Sequence, residues 1–466
     1  MAKEKTAVRP FGVRDKVGYM FGDFGNDFTF LLSSSWMLKF YTDVMGVNAG
    51  IVGILMMCAR FVDAFTDVTM GQIVDHSKVT KAGKFKPWIK RMCGPVAIAS
   101  FLIYQSEFAG MPMTFKIIWM VVTYILWGSI FYTSVNIPYG SMASAISDDP
   151  TDRSQLSTWR TMGSTCANIV INVVCPLVVY NTVDGNQVLS GTKMTILAGI
   201  FSICAIVCYL LCYNLVTERV EVPQKTEKFS FKKLFKTLFS SRALIGIILA
   251  AICLLLGQLG MSTMATYVFP NYYGNTTAQS ASSFIGAIAM MVICAPTATK
   301  ISQKIGKKEL SIISCLVGAG AFLICLILRP SNVWVYVAFF AVAYVGLGYF
   351  NFVIWAMITD VIDDSEIRQG VREDGTIYSV YSFARKLGQA LASGLTGVAL
   401  SAIGYTTETA FDTEVVNGIF TLSCLFPIIG LGLVAVMLAF VYPLGKKKVE
   451  ENNAILAAKH KNQANK

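Results

Sequence analysis

Two aspartates four residues apart, Asp63 and Asp67, stand in the apolar stretch ARFVDAFTDVTMG (59–71). On a helix, residues four apart project from one face about a turn apart. Two carboxylates so placed cannot both stay ionised comfortably in a low dielectric. Either one takes a proton or a cation sits between them, and hard oxygen ligands suit Na⁺ or Li⁺. Arg60, three residues before Asp63, offers another answer, internal neutralisation. Asp23 and Asp27 repeat the same spacing upstream. Asp23 stands nearer the end of its stretch, where water can solvate it. Asp27 is deeper and is the better ligand candidate. Arg160, Arg385 and Lys386 bring positive charge from other apolar stretches, either to serve a site or to form structural ion pairs with these aspartates.

Aromatic rings complete the candidate chemistry. Trp355, Tyr139, Tyr378 and Tyr381 can stack on the apolar faces of pyranose rings, while carboxylates and amides bind their hydroxyls. Trp36, Trp119 and Trp127 read as packing or lipid-facing residues. No nucleophile–base pair and no metal cluster accompanies them, so nothing here argues for an enzyme.

The elements that position these groups follow from composition. The chain of 466 residues is 54% hydrophobic and 14% charged, against roughly 25% charged in soluble domains. Apolar stretches of about 20 residues, enough to cross a hydrocarbon core, recur throughout. Spans are expected near 17–41, 48–74, 88–106, 112–145, 155–181, 194–216, 242–269, 279–300, 309–329, 332–363, 377–403 and 416–443. The expected fold class is therefore an all-α membrane protein of twelve helices. An ionisable residue at the centre of such a helix costs about 2.5–3.5 kcal/mol on insertion scales, so each is expected to face a cavity or a partner.

The net charge of +11 sits in short polar segments between spans. Lys3, Lys5, Arg9, Arg14 and Lys16 precede the first span; Lys78, Lys81, Lys84, Lys86, Lys90 and Arg91 follow the second; Lys446, Lys447 and Lys448 follow the last. The alternate loops near 42–47, 182–193, 270–278 and 404–415 carry few basic residues. The positive-inside rule then places both termini in the cytoplasm of a multi-pass cell-membrane protein, and the distribution speaks against nucleic acid. His76 and His460 fall in the cytoplasmic segments, which excludes a histidine proton relay across the membrane. Cysteines such as Cys58, Cys166, Cys204, Cys208, Cys212, Cys253, Cys294, Cys315, Cys325 and Cys424 lie in apolar runs without a C-x-x-C, as small hydrophobes. The N-terminus shows no signal-peptide pattern.

Two halves are visible. Residues 1–216 form the expected N-terminal six-helix half, 217–241 a cytoplasmic middle loop, 242–445 the C-terminal half and 446–466 a polar cytoplasmic tail. A glycine-and-base loop follows the second span of each half: Gly83 and Lys84 in the first, Gly306 and Lys307 in the second. Such a repeat suggests internal duplication, as in the major facilitator architecture. These loops, with the acidic cluster Asp360, Asp363 and Asp364, are expected as cytoplasmic gate contacts; solvated helix ends are the plainer reading.

The sequence resembles the glycoside–pentoside–hexuronide:cation symporters, of which the melibiose carrier is a member, over nearly its whole length. GDFGNDF (22–28), YTDVMGV (41–47), ARFVDAFTDVTMG (59–71), GKFKPW (83–88), VNIPYGS (135–141) and YSVYSFARKLGQA (378–390) carry the resemblance. It implies a cation site at Asp63, Asp67 and Thr133, with Thr66 where the family has an asparagine. It implies sugar binding by Asp27, Arg160, Trp355 and Lys386, with Tyr139 and Tyr381 as aromatic candidates. The second sugar-binding aspartate of the melibiose carrier matches Asn136, and a tryptophan four residues later matches Gly140. VNIPYGS, the R-K-x-G-Q of span eleven and the G-V-R loop look closer to glucuronide carriers. Losing one carboxylate while keeping Arg160, Arg385 and Lys386 makes the site less hostile to an anionic sugar, so a glucuronide or hexuronide is favoured. Neutral disaccharides, xylosides and β-glucosides are the alternative.

The resemblance further implies alternating access, a glycoside and a monovalent cation (Na⁺ or H⁺) as partners, no cofactor beyond that ion, lipid surroundings and a functional monomer. A lysolipid carrier suits these polar groups poorly. A channel would need no coupling between two solutes.

Overall fold

The computed structural model describes residues 9–80, 82–220, 241–369 and 374–464. Lys3 and Lys5, most of the expected middle loop (217–241) and the G-V-R loop (370–372) lie outside the described residues. The chain forms two compact units, Met1–Phe229 and Ser230–Lys466. In the first, α1 is Val13–Asp43, α2 Ala49–Asp75 and α3 Lys86–Ile103. Then follow α4 (Met113–Ile146), α5 (Pro150–Val178) and α6 (Gly191–Leu215). In the second, α7 is Arg242–Tyr272, α8 Thr276–Ile305 and α9 Lys307–Leu328. They are followed by α10 (Val333–Gln369), α11 (Asp374–Ala402), α12 (Thr413–Val441) and a polar helix α13 (Lys446–Ala464).

Among the described residues nine of these helices are long and apolar enough to cross a membrane. The long helices α1, α3 and α11 fall short because of their charged and polar residues, among them Asp23, Asp27 and Lys39 in α1, Lys86, Lys90 and Arg91 in α3, and Arg385 and Lys386 in α11. The helix starts are set by side chains that satisfy otherwise unpaired backbone donors. Asn48 accepts from the amides of Gly50 and Ile51. Asp149 accepts from the amide of Thr151, with Pro150 opening α5, and that bond holds its carboxyl below the usual range. Ser241 and Asn275 do the same for α7 and α8.

The expected open loop near 182–193 is instead a short hairpin. Tyr180–Val183 (β1) pairs antiparallel with Asn186–Leu189 (β2). Its turn is Asp184–Gly185, both at positive φ (48° and 82°), the residue pair that a tight two-residue hairpin turn favours.

Both units use the same packing scheme. In the first, α1 packs on α5 and α6, α3 on α6 and α4, and α2 on α4. In the second, α7 packs on α11 and α12, α9 on α12 and α10, and α8 on α10. Adding six to each helix number converts one scheme into the other. The outer faces are apolar as well. On α6, Ile196, Ile200, Ile203 and Val207 recur at helical spacing and are all exposed, while Leu197, Phe201, Ala205 and Tyr209 are buried. A helix apolar all round belongs in lipid.

A close helix approach is α7 on α12, where a Cβ at Gly430 would land on the backbone of Gly257. Backbone cannot yield as a flexible side chain can. Gly430→Val is expected to cost at least about 1–3 kcal/mol, the usual price of overpacking, read as a lower melting temperature of the purified protein in detergent. Gly432→Ala, where no atom lies within 4 Å of the added carbon, is expected to melt like the native chain.

Candidate functional site

The α2 carboxylates meet α4 at a π-helical segment, Leu126–Tyr132, a widened turn of the kind often found at functional positions. Thr133 follows it, and its amide bonds back to Gly128 O in the long π register. Asp63 is buried, and each of its oxygens has a partner. Arg60 donates to Oδ2 at 3.2 Å, and Ser129 Oγ donates to Oδ1 at 2.5 Å. Asp67 Oδ1 lies 2.9 Å from Thr133 Oγ1, whose single proton also has Gly128 O within 3.1 Å. The Arg60 guanidinium lies over the rings of Phe30, Tyr124 and Trp127, at 5.0, 5.8 and 5.9 Å. Such faces attract a cation, and more strongly when it is desolvated.

Thr66 takes another place than expected. Its hydroxyl turns back to its own helix and donates to Asp63 O at 3.1 Å, the local alternative open to a threonine inside a helix. Ser129 is the residue that sequence reasoning missed. It stands four before Thr133, as Asp63 stands four before Asp67, and that matched spacing was the available signal.

The α1 carboxylates meet α5 in the same manner. Arg160 Nε bonds Asp23 Oδ1 at 3.0 Å, and four residues on, Ser164 Oγ donates to Asp27 Oδ2. Two pairs, each spaced by four, thus meet rung by rung. Asp23 is therefore not the solvated end residue that its position suggested: it is buried and ion-paired. Arg160 has a side chain 40% exposed and packs over the Tyr139 ring at 5.3 Å. Tyr139, expected to stack on a sugar, is itself fully buried. Its ring stacks on Tyr19 with centroids 4.6 Å apart, and its hydroxyl donates to Tyr19 O at 2.7 Å. It supports Arg160 from behind. Asn136 accepts from Asn26 on α1, which in turn accepts from Tyr209 on α6.

In the second unit Trp355 on α10 is 41% exposed, and Tyr381 on α11 is buried edge-on to it at 5.1 Å. Arg385 lies over the same Trp355 ring at 5.6 Å. Lys386 is half-buried beside them in sequence.

The gate candidates are held by groups that the sequence did not announce. Gly83 has φ of +113°, and a Cβ there would fall on the Glu218 carboxylate, so glycine is required twice over. The amides of Lys84, Phe85 and Lys86 donate to that carboxylate at 2.7, 2.9 and 2.7 Å. Lys84 is buried and reaches Asp75 O. The α3 N-terminus is thus capped by an anion, the charge its dipole favours. Asp15, fully buried, ties Arg9 and Arg219 at 2.7 and 2.8 Å. In the second unit Lys307 Nζ bonds both Asp360 oxygens, at 2.6 and 2.8 Å. Asp363 is half-buried, while Asp364 accepts from Arg368 and from Asn452 of α13.

Comparison with known proteins gives a family match and many likenesses, among them the three that follow. The profile of the family described as MFS/sugar transport protein matches residues 18–446. An uncharacterized symporter of Bacillus subtilis (strain 168) is 32% identical, over 93% of this chain and 92% of its own. A glucuronide carrier protein homolog of Escherichia coli (strain K12) is 30% identical over 94% of each chain. The crystal structure of a bacterial homolog of the human lysosomal transporter Spinster superposes with a TM-score of 0.63, covering 92% of this chain and 96% of that one at 12% identity. At such identity the likeness concerns the fold alone.

Glu218→Ala removes the acceptor of three amides and is expected to destabilise the purified protein by about 1–3 kcal/mol. Glu218→Gln, which keeps an oxygen there, is expected to lose less. Thermal unfolding in detergent checks the order native, Gln, Ala.

Proposed function

We propose the function of this chain from one premise: it belongs to the MFS/sugar transport protein family, the glycoside–pentoside–hexuronide symporters. It is a multi-pass membrane transporter of the sugar class with the major facilitator fold. Our reading of cargo and coupling is inward symport of an anionic glycoside, a glucuronide or hexuronide, together with one monovalent cation, by a monomer in the cell membrane with both termini in the cytoplasm.

The observation that carries the coupling is the cluster where α2 meets α4. Arg60, Asp63 and Asp67 carry formal charges of +1, −1 and −1, which sum to −1. A Na⁺ or a proton held here would offset the second carboxylate. Asp63, Asp67, Thr133 and Ser129 supply hard oxygens for it; Thr66 contributes only if its hydroxyl leaves Asp63 O. Neutralisation matters because a bare negative charge makes any dehydrated intermediate costly. With an anionic glycoside one cation makes the step electroneutral, so the cation's own concentration gradient drives accumulation. With a neutral glycoside the inward movement of one positive charge gains roughly 2.3 kcal/mol per 100 mV.

A route from cation to sugar is built into α1. Phe30, three residues after Asp27, lies under the Arg60 guanidinium at 5.0 Å and stacks on Tyr132 at 5.8 Å. A cation that reorders Arg60 or α4 therefore acts on the helix that carries Asp27. Coupling of this kind is reciprocal. For the cargo, Asp27, Asn136, Arg160, Trp355, Tyr381 and Lys386 are the assigned groups, Tyr139 acting through Arg160. The Glu218 cap on Gly83 and Lys84, and the Lys307–Asp360 pair with Asp363 beside it, would be made or released at the cytoplasmic side as the transporter cycles.

Uptake of a labelled glucuronide into membrane vesicles, with Na⁺ and pH gradients imposed separately, tests this reading. The native chain is expected to accumulate it under one gradient, and Asp63→Cys and Asp67→Asn to lose accumulation. Asp67→Asn is the cleaner variant because it leaves the buried Arg60–Asp63 pair intact, whereas stripping Arg60 of its partner is itself destabilising by about 3–5 kcal/mol. Uptake indifferent to both gradients would refute coupling. No uptake would refute the hexuronide assignment and turn the test to neutral β-glucosides and xylosides.

A further inference from the structure

Beside the charged rungs, three polar side chains of the first unit form a one-way chain. Tyr209 on α6 donates its hydroxyl to Asn26 Oδ1 on α1 at 2.8 Å. Asn26 Nδ2 donates in turn to Asn136 Oδ1 on α4 at 3.4 Å. Tyr209 and Asn26 are each 1% exposed, and Asn136 is half-buried. An amide can face a neighbour with its oxygen or with its NH₂ group. Here the phenol decides between them. Among the described residues Asn26 Oδ1 is the acceptor that the Tyr209 hydroxyl finds, and a buried hydroxyl stripped of its acceptor is unfavourable. Turning Asn26 over would strand that proton. It would also set the Asn26 oxygen against Asn136 Oδ1, so Asn136 would have to turn over too. As built, the Asn136 oxygen is committed to Asn26, and its Nδ2 hydrogens have no acceptor among the described residues.

We propose that Tyr209 is a positioning residue that, through Asn26, fixes Asn136 as a hydrogen-bond donor toward the cargo, and that this donor edge selects an anionic glycoside over its neutral counterpart. The inference rests on the transport function proposed above. At Asn136 this chain presents a donor of fixed polarity. A sugar carboxylate accepts from such a donor through a charge-assisted bond, and the hydroxymethyl group of a neutral sugar offers a weaker acceptor in the same place.

The test uses p-nitrophenyl β-glucuronide and p-nitrophenyl β-glucoside, which share an aglycone. Half-saturating concentrations for uptake are measured in vesicles for the native chain, Tyr209→Phe, Asn136→Asp and the double variant. The native chain is expected to favour the glucuronide. Tyr209→Phe frees both amides to turn over and is expected to narrow that preference about tenfold, a charge-assisted hydrogen bond's worth. Asn136→Asp is expected to reverse it. Adding Tyr209→Phe to Asn136→Asp is expected to change nothing further, because an aspartate there can only accept from Asn26. A merely structural Tyr209 would depress uptake of both glycosides in both backgrounds.

An unchanged ratio in Tyr209→Phe, or an equal effect in both backgrounds, overturns the inference. A native preference for the glucoside also overturns it, while leaving glycoside transport standing. A native chain that takes up neither compound overturns the hexuronide assignment and the inference together. If Tyr209→Phe fails to reach the membrane, Asn136→Asp decides alone, and an unaltered preference overturns the donor edge.

Discussion

A carboxylate held inside a membrane helix must find compensation within the protein, because lipid offers none. This transporter places four on two adjacent faces, Asp23 and Asp27 on α1, Asp63 and Asp67 on α2, and compensates them by one rule. One aspartate of each pair is matched with an arginine, Asp23 with Arg160 and Asp63 with Arg60. The other meets a hydroxyl, Asp27 with Ser164 and Asp67 with Thr133. The arginines are steadied in turn by rings: Arg160 over Tyr139, Arg60 over Phe30, Tyr124 and Trp127. A hydroxyl can share an anion with an incoming ligand, whereas an arginine occupies it.

The same economy governs the helix ends. The first amides of α3 are orphans by construction, and Glu218, carried just beyond α6, satisfies three of them at once. Only a residue without a side chain leaves room for that carboxylate, which explains Gly83 better than turn geometry alone. The second unit reaches a comparable end with different parts. Gly306 again has positive φ, of 109°, but Lys307 engages Asp360 on α10. Repeated packing with divergent chemistry is what duplication followed by specialisation would leave.

Much of this was legible in the sequence, and the reasons for the exceptions are physical. Helical period and hydropathy suffice for the nine helices, among the described residues, that are apolar for about 20 residues. Helices α1, α3 and α11 carry too many polar groups for hydropathy alone. Spacing by four suffices to set Asp63 beside Asp67, and the family resemblance adds Thr133. What spacing cannot give is the rotation of one helix against another. That is why Asp23 read as solvated although it faces Arg160, and why Tyr139 read as a sugar platform although its ring fills the α1–α4 contact. Ser129 and Ser164 escaped notice because single serines are common in membrane helices; each becomes meaningful only as the fourth residue from Thr133 or Arg160. Glu218 and Tyr209 act across more than 100 residues of sequence, a distance at which no local pattern speaks. Thr66 shows the converse limit. It was expected at the cation site from its place in the motif, and its hydroxyl donates to Asp63 O of its own helix instead.

The central claim is that one monovalent cation and one glycoside pre-order each other's sites. Linkage demands that each raise the other's affinity by the same factor. Calorimetric titration of the purified transporter tests this most directly, with glucuronide titrated at low and high Na⁺ and across pH, and the cation titrated with and without glucuronide. The account predicts equal enhancement in both directions, for Na⁺ or for H⁺. Glucuronide binding with the same affinity whatever the cation would contradict it.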